Sequence, residues 1–100
     1  MNLVHLGEMA EFHPDAHVGR VVHEQGHIKA LLVCLEAGHR IPPCRMDYDV
    51  AFYVIEGDGR IWADGSEGAL ATGTLAVVPA GAERSIAAGT RMRVLAIQAR

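Results

Sequence analysis

The sequence predicts an all-β domain, and three observations carry that prediction. Glycine recurs about every eight residues through the C-terminal half, at Gly57, Gly59, Gly65, Gly68, Gly73, Gly81 and Gly89, which is the spacing of short strands joined by tight turns. The segments between these glycines are short and apolar. Helical signal is nearly absent: only Gly7–Phe12 would make a turn or so, and Pro14 stops it.

Taken in order, Arg20–His23 is a weak strand and Ile28–Leu35 a strong one. Further strands are expected at Val50–Ile55, Arg60–Ala63, Gly68–Leu70, Leu75–Val78, Arg84–Ala87 and Met92–Ala99. Asp58-Gly59 and Asp64-Gly65 are hairpin-turn signals, because such turns need positive φ, which glycine adopts freely. Glu24-Gln25-Gly26 reads as another turn, bringing His23 and His27 opposite one another, where they would take up zinc only weakly. His13 and His17 have helix-face spacing, but Pro14 interrupts them. In Val50–Ile55, alternation puts Val50, Phe52 and Val54 on one face and Ala51, Tyr53 and Ile55 on the other. Both faces of this run and of Ala30–Leu35 are apolar, so both should be covered. A single barrel or sandwich covers only the inner face, and a homodimer packing sheet on sheet is the expected cover for the outer one.

One hundred residues are one domain's worth of chain. Residues 1–19 are read as an N-terminal extension and first strand, and residues 20–100 as the barrel. Nine basic and twelve acidic residues give a net charge of -3, and the basic ones are scattered. That composition excludes a nucleic-acid surface, which requires a cationic stripe. No apolar run approaches the roughly 20 residues of a membrane span. Cys34 and Cys44 are the only thiols, and Met1–His5 carries no signal-peptide pattern, so a reduced, cytoplasmic protein is expected. Six histidines are many for this length and raise the question of a metal.

Gly38-His39-Arg40-Ile41-Pro42-Pro43-Cys44-Arg45-Met46, followed by Tyr53-Val54-Ile55-Glu56-Gly57, resembles the first motif of the cupin superfamily, G-x5-H-x-H-x3-E-x6-G. Gly73, Pro79 and Gly81 fall at the separations of the second motif, G-x5-P-x-G-x2-H-x3-N. The resemblance covers the chain from about Arg20 onward and implies a small jelly-roll barrel, a double-stranded β-helix, usually dimeric. It also implies where a divalent metal would sit. Here the family's three histidines and one glutamate read Cys44, Met46, Val50 and Arg84, and its asparagine reads Ala88. Valine has no lone pair to donate and guanidinium is a cation, so the usual site is degenerate. No cofactor is expected on this reading.

Two readings of the remaining donors stay open. Cys44 and Met46, two apart on an extended strand, would face the same way and, completed by His39, would suit copper; alternatively they fill the space left by the missing histidines. Arg84, if directed inward, needs an anion. It would clamp the carboxylate or phosphate of a small ligand, or else pair with Asp47, Asp49 or Glu83, or extend to the barrel mouth. Tyr48 and Phe52, near the same mouth, complete the candidate ligand-binding set of Arg84, Cys44, Met46, Val50, Tyr48 and Phe52. Cys44 and His39 are a conceivable nucleophile and base, with no geometry fixed by the Pro-Pro segment between them. Three functions follow: a small-molecule-binding barrel, a metal-dependent isomerase or oxygenase with an atypical Cys/Met/His site, and a structural dimer with a filled barrel.

Overall fold

The computed structural model describes residues 1–100 as nine strands and one short helix. The helix, α1, spans Leu6–Met9. The strands are β1 Val18–Gln25, β2 Ile28–Leu35, β3 Arg40–Cys44, β4 Asp49–Glu56, β5 Gly59–Ala63, β6 Ser66–Leu70, β7 Leu75–Val78, β8 Arg84–Ala88 and β9 Met92–Ala99. They form two antiparallel sheets, one ordered β1-β2-β9-β4-β7 and the other β3-β8-β5-β6. No helix is long and apolar enough to cross a membrane.

The core lies between the sheets and follows from alternation. Val50, Phe52 and Val54 of β4 point inward beside Met92, Val94 and Ala96 of β9, and Ile61 and Ile86 meet them from the second sheet. Val54, Met92 and Val94 are fully buried. Burying side chains of this kind stabilises the fold by about 1.5–3 kcal/mol each.

The structure corrects the sequence reading in four places. Arg40–Cys44 is a strand rather than a Pro-Pro loop: β3 is the edge of its sheet and its ladder with β8 breaks between Ile41 and Cys44, so the amides missing at Pro42 and Pro43 leave no gap in a continuous pairing. β1 is a full strand beginning at Val18, not a weak one beginning at Arg20. Its hairpin with β2 turns at Gly26-His27, pairing Gln25 with Ile28 and His23 with Ala30. His23 and His27 are therefore not opposite one another. They bond separately, His23 Nδ1 with Asn2 Nδ2 at 3.0 Å and His27 Nδ1 with the Arg100 carbonyl at 3.1 Å.

The third correction concerns the two Asp-Gly signals. Asp64-Gly65 is the expected hairpin, with φ of 44° and 82° at its two turn residues. The segment before Gly59 is instead a corner where the chain passes from one sheet to the other. Gly57, at φ 98°, and Gly59 let this corner lie against the second crossing, residues 89–92: a Cβ on either would be driven into a backbone carbonyl, that of Arg91 or Ala87. The Asp58 carbonyl accepts from the amides of Gly89 and Thr90, and the Thr90 hydroxyl accepts from the Asp58 amide at 2.9 Å.

Lastly, part of the outer face needs no second subunit. Leu32 and Cys34 are 0% and 2% exposed yet lie outside the inner core cluster. On the same side of the chain the N-terminal arm is tied down by Arg20 to the Met9 carbonyl, Arg91 stacked 3.8 Å from the Phe12 ring centroid, and His39 Nε2 bonded to the Pro14 carbonyl at 2.9 Å. The other half of that face stays open. Tyr53, Leu75, Val77 and Ile97 are 42%, 63%, 63% and 37% exposed, and they are neighbours across β4, β7 and β9.

Candidate functional site

Between the sheets, where β1 and β3 diverge, a cavity of about 150 Å³ enters the barrel. Its walls are apolar, with Leu31 and Val33 from β2, Ile41, Ile86, Ala96 and the Phe52 ring. Its polar groups are Arg84, Ser85, Gln98 and His17, and no carboxylate lines it.

Register decides where Arg84 points. It shares the inward phase of β8 with Ile86 and Ala88, both core residues, so its side chain starts toward the interior. The guanidinium carbon lies 5.6 Å from the centroid of the Phe52 ring, a cation–π distance. Two of the three expected acidic partners, Glu83 and Asp49, are engaged elsewhere, as is the neighbouring Asp64. Glu83 and Asp64 face Arg45 at 3.6 and 4.0 Å, and Asp49 Oδ1 accepts from the Ala80 amide at 2.8 Å. Arg84 makes no ion pair with Asp47, Asp49 or Glu83, nor with any other carboxylate, unlike Arg45, Arg60, Arg91, Arg93 and Arg100. Arg84 is left half-buried and without an ion pair at this acid-free cavity, and it also lines a neighbouring cavity of about 250 Å³ with Arg45, Asp64 and Glu83.

Gln98 is the second polar element. It is the only polar residue in the inward set Met92, Val94, Ala96 and Gln98 of β9, and it is 8% exposed. The Tyr48 hydroxyl donates to its Oε1 at 3.2 Å. In this arrangement Nε2 has no protein acceptor, and it belongs to a side chain that lines the cavity.

The remaining candidates are dispersed. Val50 is 1% exposed in the apolar core, and Met46 and Tyr48 pack against that core from the β3–β4 connection. Cys44 is exposed, opposite Arg84 on the edge strand. His39 is joined by backbone to Ala88, four residues along β8 from Arg84, so about 13 Å of strand separates it from Cys44. The structure thus separates Cys44, Met46 and His39, and neither a Cys–His nucleophile pair nor a three-donor site is assembled. No group of three or more His, Cys, Asp or Glu side chains converges anywhere in the chain. The residues at the family's metal positions, a buried valine and a cation among them, do not fit a divalent ion.

Of the cavity's lining, the sequence reading named only Arg84 and Phe52, and the polar residues Gln98 and His17 are among those it missed. Gln98 was detectable as the one polar residue in an otherwise apolar alternating set. His17 had no such signal, because only the path of the N-terminal arm brings it to the cavity mouth, while His39 is turned away to hold Pro14.

The comparisons with known proteins agree with this geometry. Residues 31–98 match the cupin domain family. A Thermus thermophilus protein shares the fold at a TM-score of 0.92 and 22% identity, over 99% of this chain and 97% of that one. An RmlC-like cupin from Desulfovibrio desulfuricans gives a TM-score of 0.91 and 26% identity, over 99% and 96%. A conserved Streptococcus pyogenes protein of unknown function gives 0.86 and 18%, over 99% and 87%. No curated protein matches the chain. With nine strands in two facing antiparallel sheets, both motif glycine sets in register and two thirds of its length matched, the chain belongs to the cupin superfamily, as a small barrel with degenerate metal-ligand positions.

Proposed function

We propose that this protein is a small-molecule-binding barrel whose interior takes up an organic anion. The observation that carries the reading is Arg84, a cation at an interior cavity with no carboxylate partner. Leaving a half-buried charge uncompensated is costly, and a bound anion compensates it. Gln98 Nε2 and the His17 ring add hydrogen-bonding capacity around the same space. The open 150 Å³ also counts against a purely structural role with a filled barrel.

The working unit on this reading is a homodimer. Tyr53, Leu75, Val77 and Ile97 form one continuous exposed apolar patch across β4, β7 and β9. A self-complementary sheet-on-sheet contact between two copies removes that patch from water. Native mass spectrometry of protein purified without tag or chelator tests both statements together. The expected spectrum is a dimer carrying a small organic anion. A homogeneous, ligand-free mass under conditions that preserve the dimer would count against the binding role.

A further inference from the structure

Resting on that anion-binding reading, we infer that the ligand is a small monocarboxylic acid with an apolar body, its carboxylate held by Arg84 and Gln98 and its body lying among Phe52, Leu31, Val33, Ile86 and Ala96. Four features of the cavity lead to this class.

Size comes first. A cavity of about 150 Å³ accommodates a ligand of about six to nine non-hydrogen atoms, since an apolar cavity of that volume holds benzene. A larger ligand would have to project through the cavity's open mouth. Charge comes second. Arg84 is the only permanent cation on the lining, so one negative charge is compensated and a second is not. That favours a monoanion over a phosphate ester or a dicarboxylate.

The third feature is donor geometry. Guanidinium presents a planar fork that matches the two oxygens of a carboxylate. With the Tyr48 hydroxyl donating to its Oε1, Gln98 has Nε2 as its unpaired end, a donor available to the same group. A neutral amide ligand would present its own NH2 to these donors and lose at least one bond. The fourth feature is what the body meets. Beyond the polar end the walls are hydrocarbon, so a polyhydroxylated molecule would bury hydroxyls without partners, which excludes sugars. A phenyl or branched alkyl group fits that end.

Calorimetric titrations at low ionic strength test the assignment, using sodium benzoate, sodium 4-methylpentanoate, benzamide and inorganic phosphate as probes. The wild-type protein should bind both carboxylates saturably and benzamide about tenfold or more weaker. Arg84→Met should lose about tenfold or more in benzoate affinity, and Arg84→Lys, which keeps the charge but not the fork, should fall between. Circular dichroism melts establish that each variant is folded. Equal binding of benzamide and benzoate, or full benzoate affinity in folded Arg84→Met, overturns the carboxylate assignment. Phosphate binding without benzoate binding also overturns it while leaving an anion site in place. No response to any probe, together with a ligand-free native mass, removes the anion-binding reading as well.

Discussion

The hydroxyl of Tyr48, on the connection between β3 and β4, donates to Oε1 of Gln98 on β9 across 3.2 Å of the barrel interior. This one bond joins residues fifty positions apart and satisfies one end of a buried amide beside the cavity. Removing the hydroxyl leaves a buried acceptor unpaired, at a cost of about 1–3 kcal/mol. Tyr48→Phe should therefore lower the urea midpoint by a corresponding amount and weaken benzoate binding, because Gln98 becomes free to flip. An unchanged midpoint would mean that the bond contributes nothing net.

Gly57 is a sharper test of the fold. A side chain there meets both a positive φ of 98° and the backbone of Arg91 and Met92. Gly57→Ala should destabilise by about 3 kcal/mol or more, from the left-handed backbone penalty together with overpacking. Gly81 has a similar φ of 82° but open space around it, so Gly81→Ala should cost only about 1–2 kcal/mol. Equal losses in the two variants, measured by denaturant unfolding, would show that the packed corner between the sheets is not what requires Gly57.

Acid should release one clamp on the outside of the barrel. The Arg91 guanidinium donates to both oxygens of Glu36, at 2.6 and 3.1 Å, and this bonding holds the Glu36 carboxyl below its usual pKa against an opposing desolvation effect; the charges of Arg91 and His39 add to the lowering. Because the folded value is the lower one, the contribution is fully present above the unfolded carboxylate range. It is lost as pH falls through the folded value. Melting temperatures of the wild type and Glu36→Gln should differ near neutrality and converge in acid. Parallel curves throughout would show that the pair is energetically silent.

The open apolar patch gives a fourth prediction. Val77 is 63% exposed on the edge strand β7, so Val77→Asp should leave the monomer's stability nearly unchanged while placing a charge in the proposed dimer contact. Sedimentation velocity should then report a monomer in place of the wild-type dimer. A dimeric Val77→Asp protein, or a monomeric wild type, would rule out that face as the contact.

Much of the barrel was legible because strand alternation and turn chemistry are local. Val50, Phe52 and Val54 face the core as their spacing requires, and Asp64-Gly65 turns as its composition requires. β3 was hidden because an edge position tolerates prolines that an interior strand would not, and edge status is a property of the whole sheet. The Asp58-Gly59 signal misled for a related reason. Glycine announces a tight change of direction, but whether the chain returns along the same sheet or crosses to the other depends on residues 89–92 packing against it.

The sequence by itself determined the all-β jelly roll, the degeneracy of the metal-ligand positions and the presence of an arginine where the family has a histidine. Only the tertiary structure decided which groups surround that arginine. Asp64 and Glu83 are taken by Arg45 and Asp49 by the Ala80 amide, so Arg84 is left with Phe52 and an acid-free cavity. Gln98 from the last strand and His17 from the N-terminal arm arrive at the same cavity. Local pattern fixes which way a side chain leaves its strand, whereas partners are allotted among distant charges by three-dimensional proximity, and that allotment is what leaves Arg84 without a carboxylate.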